Sequence, residues 1–254
     1  MSIIGTAQRH SAESSAESSP AGFARSAELQ RIRSAYARRA STQPSARYSQ
    51  SDASHVLRTN EIKDRVAQVF LRKGATPLAD CRILDVGCGE GRWLRLLNEM
   101  GANPVNLVGV DLLPERVDIA REICSSLASV QSCDASSLPF ANQSFDVALA
   151  FTVFSSVLDS VLKSEMAAEI LRVIRPGGLV LWHDFHVNNP RNADVRGVTR
   201  KEIATLFPGC RVALDPITLA PPLSRLVAGS PRLHGQLSRI RFLCTHDFGL
   251  IEKP

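Results

Sequence analysis

Between residues 80 and 252, short unbroken apolar runs alternate with stretches where apolar side chains recur every third or fourth position. The runs 83–86, 106–111, 144–151 and 179–182 read as strands, because a strand covered on both faces is mostly apolar, and the short, more polar 128–132, closed by Cys133-Asp134, reads as another. Between them, 92–100 is a helix closed by Gly101, and Pro114 opens another to about 127 at a favourable first-turn position. A third, 163–174, turns Met166, Ile170, Leu171 and Ile174 inward. Upstream, 60–73 carries Ile62, Val66, Val69 and Phe70 on one stripe and ends at Gly74. Downstream, Thr199-Arg200-Lys201-Glu202 is a capping box for a short helix to Leu206, which Pro208-Gly209 terminates. Residues 211–218 and 241–252 supply a sixth and a seventh strand, and Pro221-Pro222 opens an insertion at about 220–239 between them. Strand alternating with helix predicts an α/β, doubly wound, mostly parallel sheet with helices on both faces.

The turn after the first strand carries the chemistry. Asp85-Val86-Gly87-Cys88-Gly89-Glu90-Gly91 places three glycines on alternate positions two residues after an acid. Glycine lets the chain turn tightly and lets a ligand press on bare backbone. A dinucleotide turn wants G-x-G-x-x-G, and Arg92 occupies the last of those positions. A carboxylate at Asp85 would repel a pyrophosphate but suits a cationic ligand. Twenty residues after Gly91, Asp111 ends the second strand, where doubly wound folds hydrogen-bond a ribose.

These residues resemble the first motif of the class I S-adenosylmethionine (SAM) methyltransferases. The companions follow in order: Asp111 with Leu112 and Leu113, then Asp134-Ala135, then the strand ending at Phe151, then Arg175-Pro176-Gly177-Gly178 before the fifth strand. The resemblance implies a Rossmann-like seven-stranded sheet whose last strand is antiparallel, and SAM as cofactor. It assigns cofactor contacts to Asp85, Gly87, Cys88, Gly89, Gly91, Asp111, Leu112, Asp134, Ala135 and Phe151, with Asp134 accepting from the adenine amino group. Residues 48–254 further resemble bacterial methyltransferases of the type 11 kind, which share Asn188-Asn189-Pro190-Arg191-Asn192 and the run from Asp194 to Thr199. Members often accompany polysaccharide or glycolipid assembly genes, which implies a glycan or small-molecule hydroxyl as acceptor.

Methyl transfer from a sulfonium is an in-line displacement, so a site chiefly aligns nucleophile, methyl and sulfur; a base is needed only for a weakly acidic acceptor. Acceptor residues belong after the fourth and fifth strands. Thr152, Ser155, Asn188, Arg191 and Arg196 are candidate substrate contacts, the arginines as clamps for an anionic group or as ordinary surface ion pairs. His183, Asp184 and His186 are candidate bases. Asp184 and His186 share a face if the strand continues, an arrangement in which a carboxylate orients an imidazole; the alternative is that Asp184 only holds loop backbone. Ala150-Phe151-Thr152-Val153 lacks the Asn/Asp-Pro-Pro-aromatic motif of base-amine methylation, and no cysteine near that strand serves C5 methylation. No metal-type cluster is apparent, so no metal is expected.

Charge is unevenly spread. Of the net +5, residues 1–50 hold seven arginines and three glutamates, leaving +1 for the rest, which argues against nucleic acid as the partner. That segment is rich in Ser, Ala and Arg and reads as a disordered basic tail with one possible helix at 23–40, built on Leu29, Ile32 and Tyr36. Peripheral membrane contact through the tail is a further expectation, and no run is long enough to span a bilayer. Six cysteines without a C-x-x-C pair, and no secretory leader, lead to a reduced cytoplasmic setting. Two other functions remain open: an RNA or protein methyltransferase that uses the tail, and a SAM-binding protein without catalysis.

Overall fold

The computed structural model describes residues 20–42, 53–72, 77–190 and 192–254. The expected sheet is present, with strands β1 (Ile83–Val86), β2 (Leu107–Asp111), β3 (Ser129–Ser132), β4 (Phe145–Phe151), β5 (Ile174–Phe185), β6 (Arg211–Leu219) and β7 (Cys244–Glu252) in the order β3-β2-β1-β4-β5-β7-β6. Pairing is parallel from β3 through to β5. β7 runs antiparallel between β5 and β6. That reversal gives β6 the direction of β5, so the strands other than β7 end on a common edge.

Central β1 and β2 are buried at every position, whereas edge strand β6 alternates exposed and half-buried side chains before it buries Ile217–Leu219. Successive side chains feed opposite faces. Odd-numbered Ile83, Leu149 and Leu181 meet helices α2 (Ala53–Arg72), α3 (Arg92–Glu99) and α4 (Pro114–Ile123) through Val66, Leu94 and Val117. Even-numbered Leu84, Ala148 and Trp182 meet α5 (Ser160–Val173) and α6 (Arg200–Leu206) through Ile170 and Ile203. Trp182 is fully buried there, its ring 5.0 Å from Phe154 and 6.1 Å from Phe207. Gly109 in β2 lets α3 approach: a Cβ there would meet Leu94 Cδ1 at 2.7 Å. In the insertion lie α7 (Pro221–Leu226) and α8 (Pro231–Ser238).

Three boundaries differ most from expectation, while α4 stops at Ile123 rather than near 127 and α5 begins three residues early, at Ser160. β5 absorbs the Pro-Gly-Gly turn, with a register shift against β4, and runs on to Phe185, so residues 183–185 lie in the sheet. α2 begins seven residues earlier than its apolar stripe, at Ala53. The largest difference is α1 (Pro20–Thr42), a 23-residue helix where the composition predicted a tail with a shorter helix. Its reasons are long-range. Ile32 and Ala35 are buried against the domain, and Glu28, 8% exposed, accepts the backbone N–H groups of Leu158 and Asp159. Arg31 pairs with Glu28 and donates to the Ser156 carbonyl at 2.6 Å. Residues 1–19 and 43–52, the rest of the expected tail, lie outside the described residues.

Candidate functional site

At the common strand edge, the turn after β1 is held from below. Gly87 and Cys88 donate to the Val110 carbonyl at 2.8 and 2.9 Å, and Gly89 donates to Asp111 Oδ2 at 2.8 Å. Asp111 Oδ1 accepts from Leu113 at 3.0 Å, so one carboxylate ties the glycine turn to the loop after β2. Gly87, Gly89 and Gly91 all have φ between 56° and 72°, the left-handed region that favours glycine. At Gly91 space adds to conformation, since a Cβ would meet Cys124 Sγ at 2.5 Å. Burial pushes the Cys88 thiol up, with Asp85 and Asp111 adding to it, so this cysteine acts as packing.

Asp85 tests whether the turn fits the cationic ligand that the sequence implies. It is 1% exposed, and its Oδ2 has no hydrogen-bond partner. Burial first, and the Asp111 charge second, raise its pKa to about 8. A buried carboxylate with an unused oxygen is costly unless something cationic or donating meets it. An ammonium group answers that need, so the residues present fit the cofactor.

The α1 helix lies over this region. Arg25 donates to Asp134 Oδ2 from Nη2 at 2.7 Å and from Nε at 3.1 Å, while Asp134 Oδ1 accepts from Ser136. Burial would raise the Asp134 pKa, but the Ser136 bonds and Arg25 together hold it below the usual carboxylate value. Leu29 and Tyr36 of α1 join the same cluster as Leu112, Ala135 and Val153. The Tyr36 ring sits 5.3 Å from the guanidinium of Arg116, the group that a Cβ at Gly89 would strike. Composition gave no sign that Arg25 reaches a residue 109 positions away.

The acceptor-side candidates separate into two groups. Ser155 is 1% exposed, and its N–H donates to Asp184 Oδ2 at 2.9 Å. Asp184 is fully buried and also accepts from the Phe185 N–H, so it anchors the β4 loop and does not orient His186; burial raises its pKa to about 6. His183 points to the opposite face, where it stacks on His246 with ring centroids 4.8 Å apart and bonds Thr218. Burial lowers its pKa to about 3, so it stays neutral and inside. Phe151 packs edge-on against Trp93 at 4.9 Å. Arg196 is committed to Glu202 at 2.7 Å, a carboxylate it shares with fully buried Lys163. Asn188 is exposed and holds the loop by accepting from Gly197, and Arg191 lies outside the described residues. Ser155, Asp184, His183 and Arg196 thus have structural partners in this fold: Ser155 and Asp184 hold each other, His183 bonds Thr218, and Arg196 pairs with Glu202.

Besides the exposed Asn188, two further candidates keep access. Thr152 is exposed and held at φ 55°, its N–H on the His183 carbonyl at 2.7 Å. His186 lines an open cleft of about 420 Å³ with Thr199, Arg200, Pro216, Arg241 and Phe242. Its Nδ1 lies 3.6 Å from Oδ1 of Asp247, which is 1% exposed and gripped by Arg200 through both oxygens, at 2.7 and 3.0 Å. The carboxylate facing His186 thus comes from β7 rather than from Asp184. Nothing in the spacing of the two residues, 61 positions apart, announces it.

Comparison with known proteins follows the fold. Residues 83–178 match the family model described as a methyltransferase domain. The ubiquinone biosynthesis O-methyltransferase of Sinorhizobium medicae is 33% identical over 129 residues, 49% of this chain and 50% of that protein. The sterol 4-C-methyltransferase strm-1 of Caenorhabditis elegans is 31% identical over 118 residues, 44% of this chain and 33% of that protein. The matched region thus spans half or less of these relatives' length. Among solved structures, the YcgJ protein from Bacillus subtilis superposes with a TM-score of 0.55 at 18% identity, covering 76% of this chain and all but 2% of its own. A SAM-dependent methyltransferase from Methanosarcina mazei gives 0.55 at 21%, covering 74% and 96%. Both share the fold.

Proposed function

We propose that this chain, whose residues 83–178 match a methyltransferase domain, is a class I SAM-dependent methyltransferase that transfers a methyl group to a hydroxyl of a small molecule or glycan without a metal. The carrying observation is the buried Asp85 carboxylate with an unused oxygen beneath three left-handed glycines. In this reading Asp85 meets the cofactor's ammonium group, Asp111 its ribose, and Asp134 its adenine, with Leu112 and Ala135 against the base. The bound cofactor supplies an electrophilic methyl on a good leaving group. Arg25 must release Asp134 before the adenine can use it, so α1 acts as a lid whose opening admits the cofactor.

On the acceptor side, His186 is the base candidate that lines an open cleft, with the Asp247 carboxylate 3.6 Å from its Nδ1, a proximity of charge rather than a hydrogen bond, and Arg200 holding Asp247. Thr152 stands at the β4 tip between the two halves. The named activities of the O-methyltransferase relatives support a small-molecule oxygen acceptor. The test is incubation of the full chain with methyl-labelled SAM and fractionated lysate. Label should appear in small-molecule, glycan or lipid fractions; label confined to RNA or protein would overturn the acceptor class, and SAM binding without any transfer would overturn catalysis.

A further inference from the structure

The insertion between β6 and β7 carries a chemistry that the methyltransferase reading does not use. Residues 221–243 contain four arginines (225, 232, 239 and 241) and no aspartate or glutamate. Residues 51–254 total +1, so without this segment they are net negative at −3. All four arginines are exposed, and Arg225, Arg232 and Arg239 make no ion pair with any described residue. The same segment exposes Leu226 by 81% and Phe242 by 86%, with Leu233 and Ile240 also exposed. These are four of the eleven exposed large apolar side chains among the described residues.

The segment is built rather than loose. His234, 4% exposed, bridges Ser224 of α7 at 3.0 Å and Ser238 at 3.4 Å, and Ala220 donates to the Leu243 carbonyl at 2.8 Å. A fixed surface that mixes arginine with exposed leucine, isoleucine and phenylalanine, and has no acid, matches the headgroup and acyl boundary of an anionic bilayer. A symmetric pairing of two copies would set arginine against arginine. RNA would call for stacking platforms, and three of the four exposed apolar groups are aliphatic.

We infer that residues 221–243 dock this protein on an anionic lipid surface, with Arg241 and Phe242, which also line the His186 cleft, at the membrane side of the acceptor entrance. β6 ends on the same edge as the other parallel strands, so the docking face lies beside the site rather than behind it.

Vesicle co-sedimentation of the full chain tests this. Binding to phosphatidylcholine vesicles containing phosphatidylglycerol should exceed binding to phosphatidylcholine alone and fall with salt. The triple variant Arg225→Gln/Arg232→Gln/Arg239→Gln should lower partitioning roughly 100-fold, at about fivefold per arginine. Leu226→Ser with Phe242→Ser should lower it by roughly tenfold or more. Both variants change exposed side chains, and unchanged SAM affinity and circular dichroism would confirm their fold. Equal binding to neutral vesicles, or no vesicle binding, overturns the inference. Binding unaffected by the triple variant would place attachment elsewhere, in the basic N-terminal stretch, and equally overturns it. So would arginine-dependent binding to a single-stranded RNA without vesicle binding, or a dimer whose mass halves in the triple variant. None of these outcomes bears on whether methyl transfer occurs.

Discussion

The β1–β2–β3 half of the strand edge and the β5–β7–β6 half are built on different principles. In the first, the polar atoms facing the ligand region belong to a short turn and two strand tips, and glycine backbone does much of the positioning. In the second, polar side chains are numerous but most are spent on other protein groups, several of them far away in sequence: Asp184 on the Ser155 backbone, Lys163 on Glu202, Arg200 on Asp247, with Arg196 joining Glu202 from six residues away. A polar residue at a strand tip is thus a good pointer to ligand contact where the local turn leaves it unspent. It is a poor one where another element arrives to claim it.

The sharpest way to break this contrast is to exchange effects between the halves. Asp184→Ala should lower stability by about 3 kcal/mol, because two buried N–H groups, of Ser155 and Phe185, lose their acceptor. Its SAM affinity, read by calorimetry, should hardly move. Asp184→Asn keeps one of the two acceptor oxygens, so stability should recover in part and turnover per folded molecule in full; turnover lost from the folded protein would make Asp184 catalytic and erase the distinction. Asp111→Ala also strands two buried N–H groups, of Gly89 and Leu113, and should cost a comparable ~3 kcal/mol, but unlike Asp184→Ala it should weaken SAM roughly 30-fold. Unchanged SAM affinity would remove Asp111 from the cofactor site.

Protons give a finer reading of the first half. An Asp85 pKa raised to about 8 means that the folded protein holds a proton at pH 7 that the unfolded chain has lost. Without ligand, Asp85 therefore subtracts stability increasingly as pH rises from about 4 to about 8. An ammonium group beside it favours the charged form, so SAM binding at pH 7 should release about one proton to the buffer. Calorimetry in buffers of different ionisation enthalpy measures this, and Asp85→Asn should abolish the release. The smallest effect concerns α1: Arg25→Ala removes a half-exposed pair from Asp134 and should tighten SAM about threefold. Weaker binding instead would make Arg25 a cofactor contact rather than a lid latch.

The unequal legibility of the two halves follows from the same physics. β1, β2 and β4 are apolar apart from one aspartate each because both faces are covered, and the glycine turn needs left-handed backbone, so both features are written in consecutive residues. Asp111 was readable because it serves the turn from one strand away. Asp247 was not, since only the antiparallel return of β7 brings it to His186. The α1 helix was underestimated because its own apolar content is modest; Glu28 and Arg31 earn their place from carbonyl and N–H groups of the 156–159 loop. Arg25, which reaches Asp134, had no local signal at all.

Leu219 pairs with Cys244 across the β6–β7 ladder, and the next pair outward, Ala220 and Leu243, is also hydrogen-bonded. Everything from 221 to 242 is consequently an excursion from a hairpin tip whose two ends already touch. Closing such an excursion costs an entropy that grows only slowly with its length. The hairpin can therefore accept a change of segment length at small entropic cost, while the packing of α7 on α2 sets which changes keep the fold. In evolutionary terms the tip is a place of low constraint, where length and surface chemistry can change at small cost to the strand ladder beneath it.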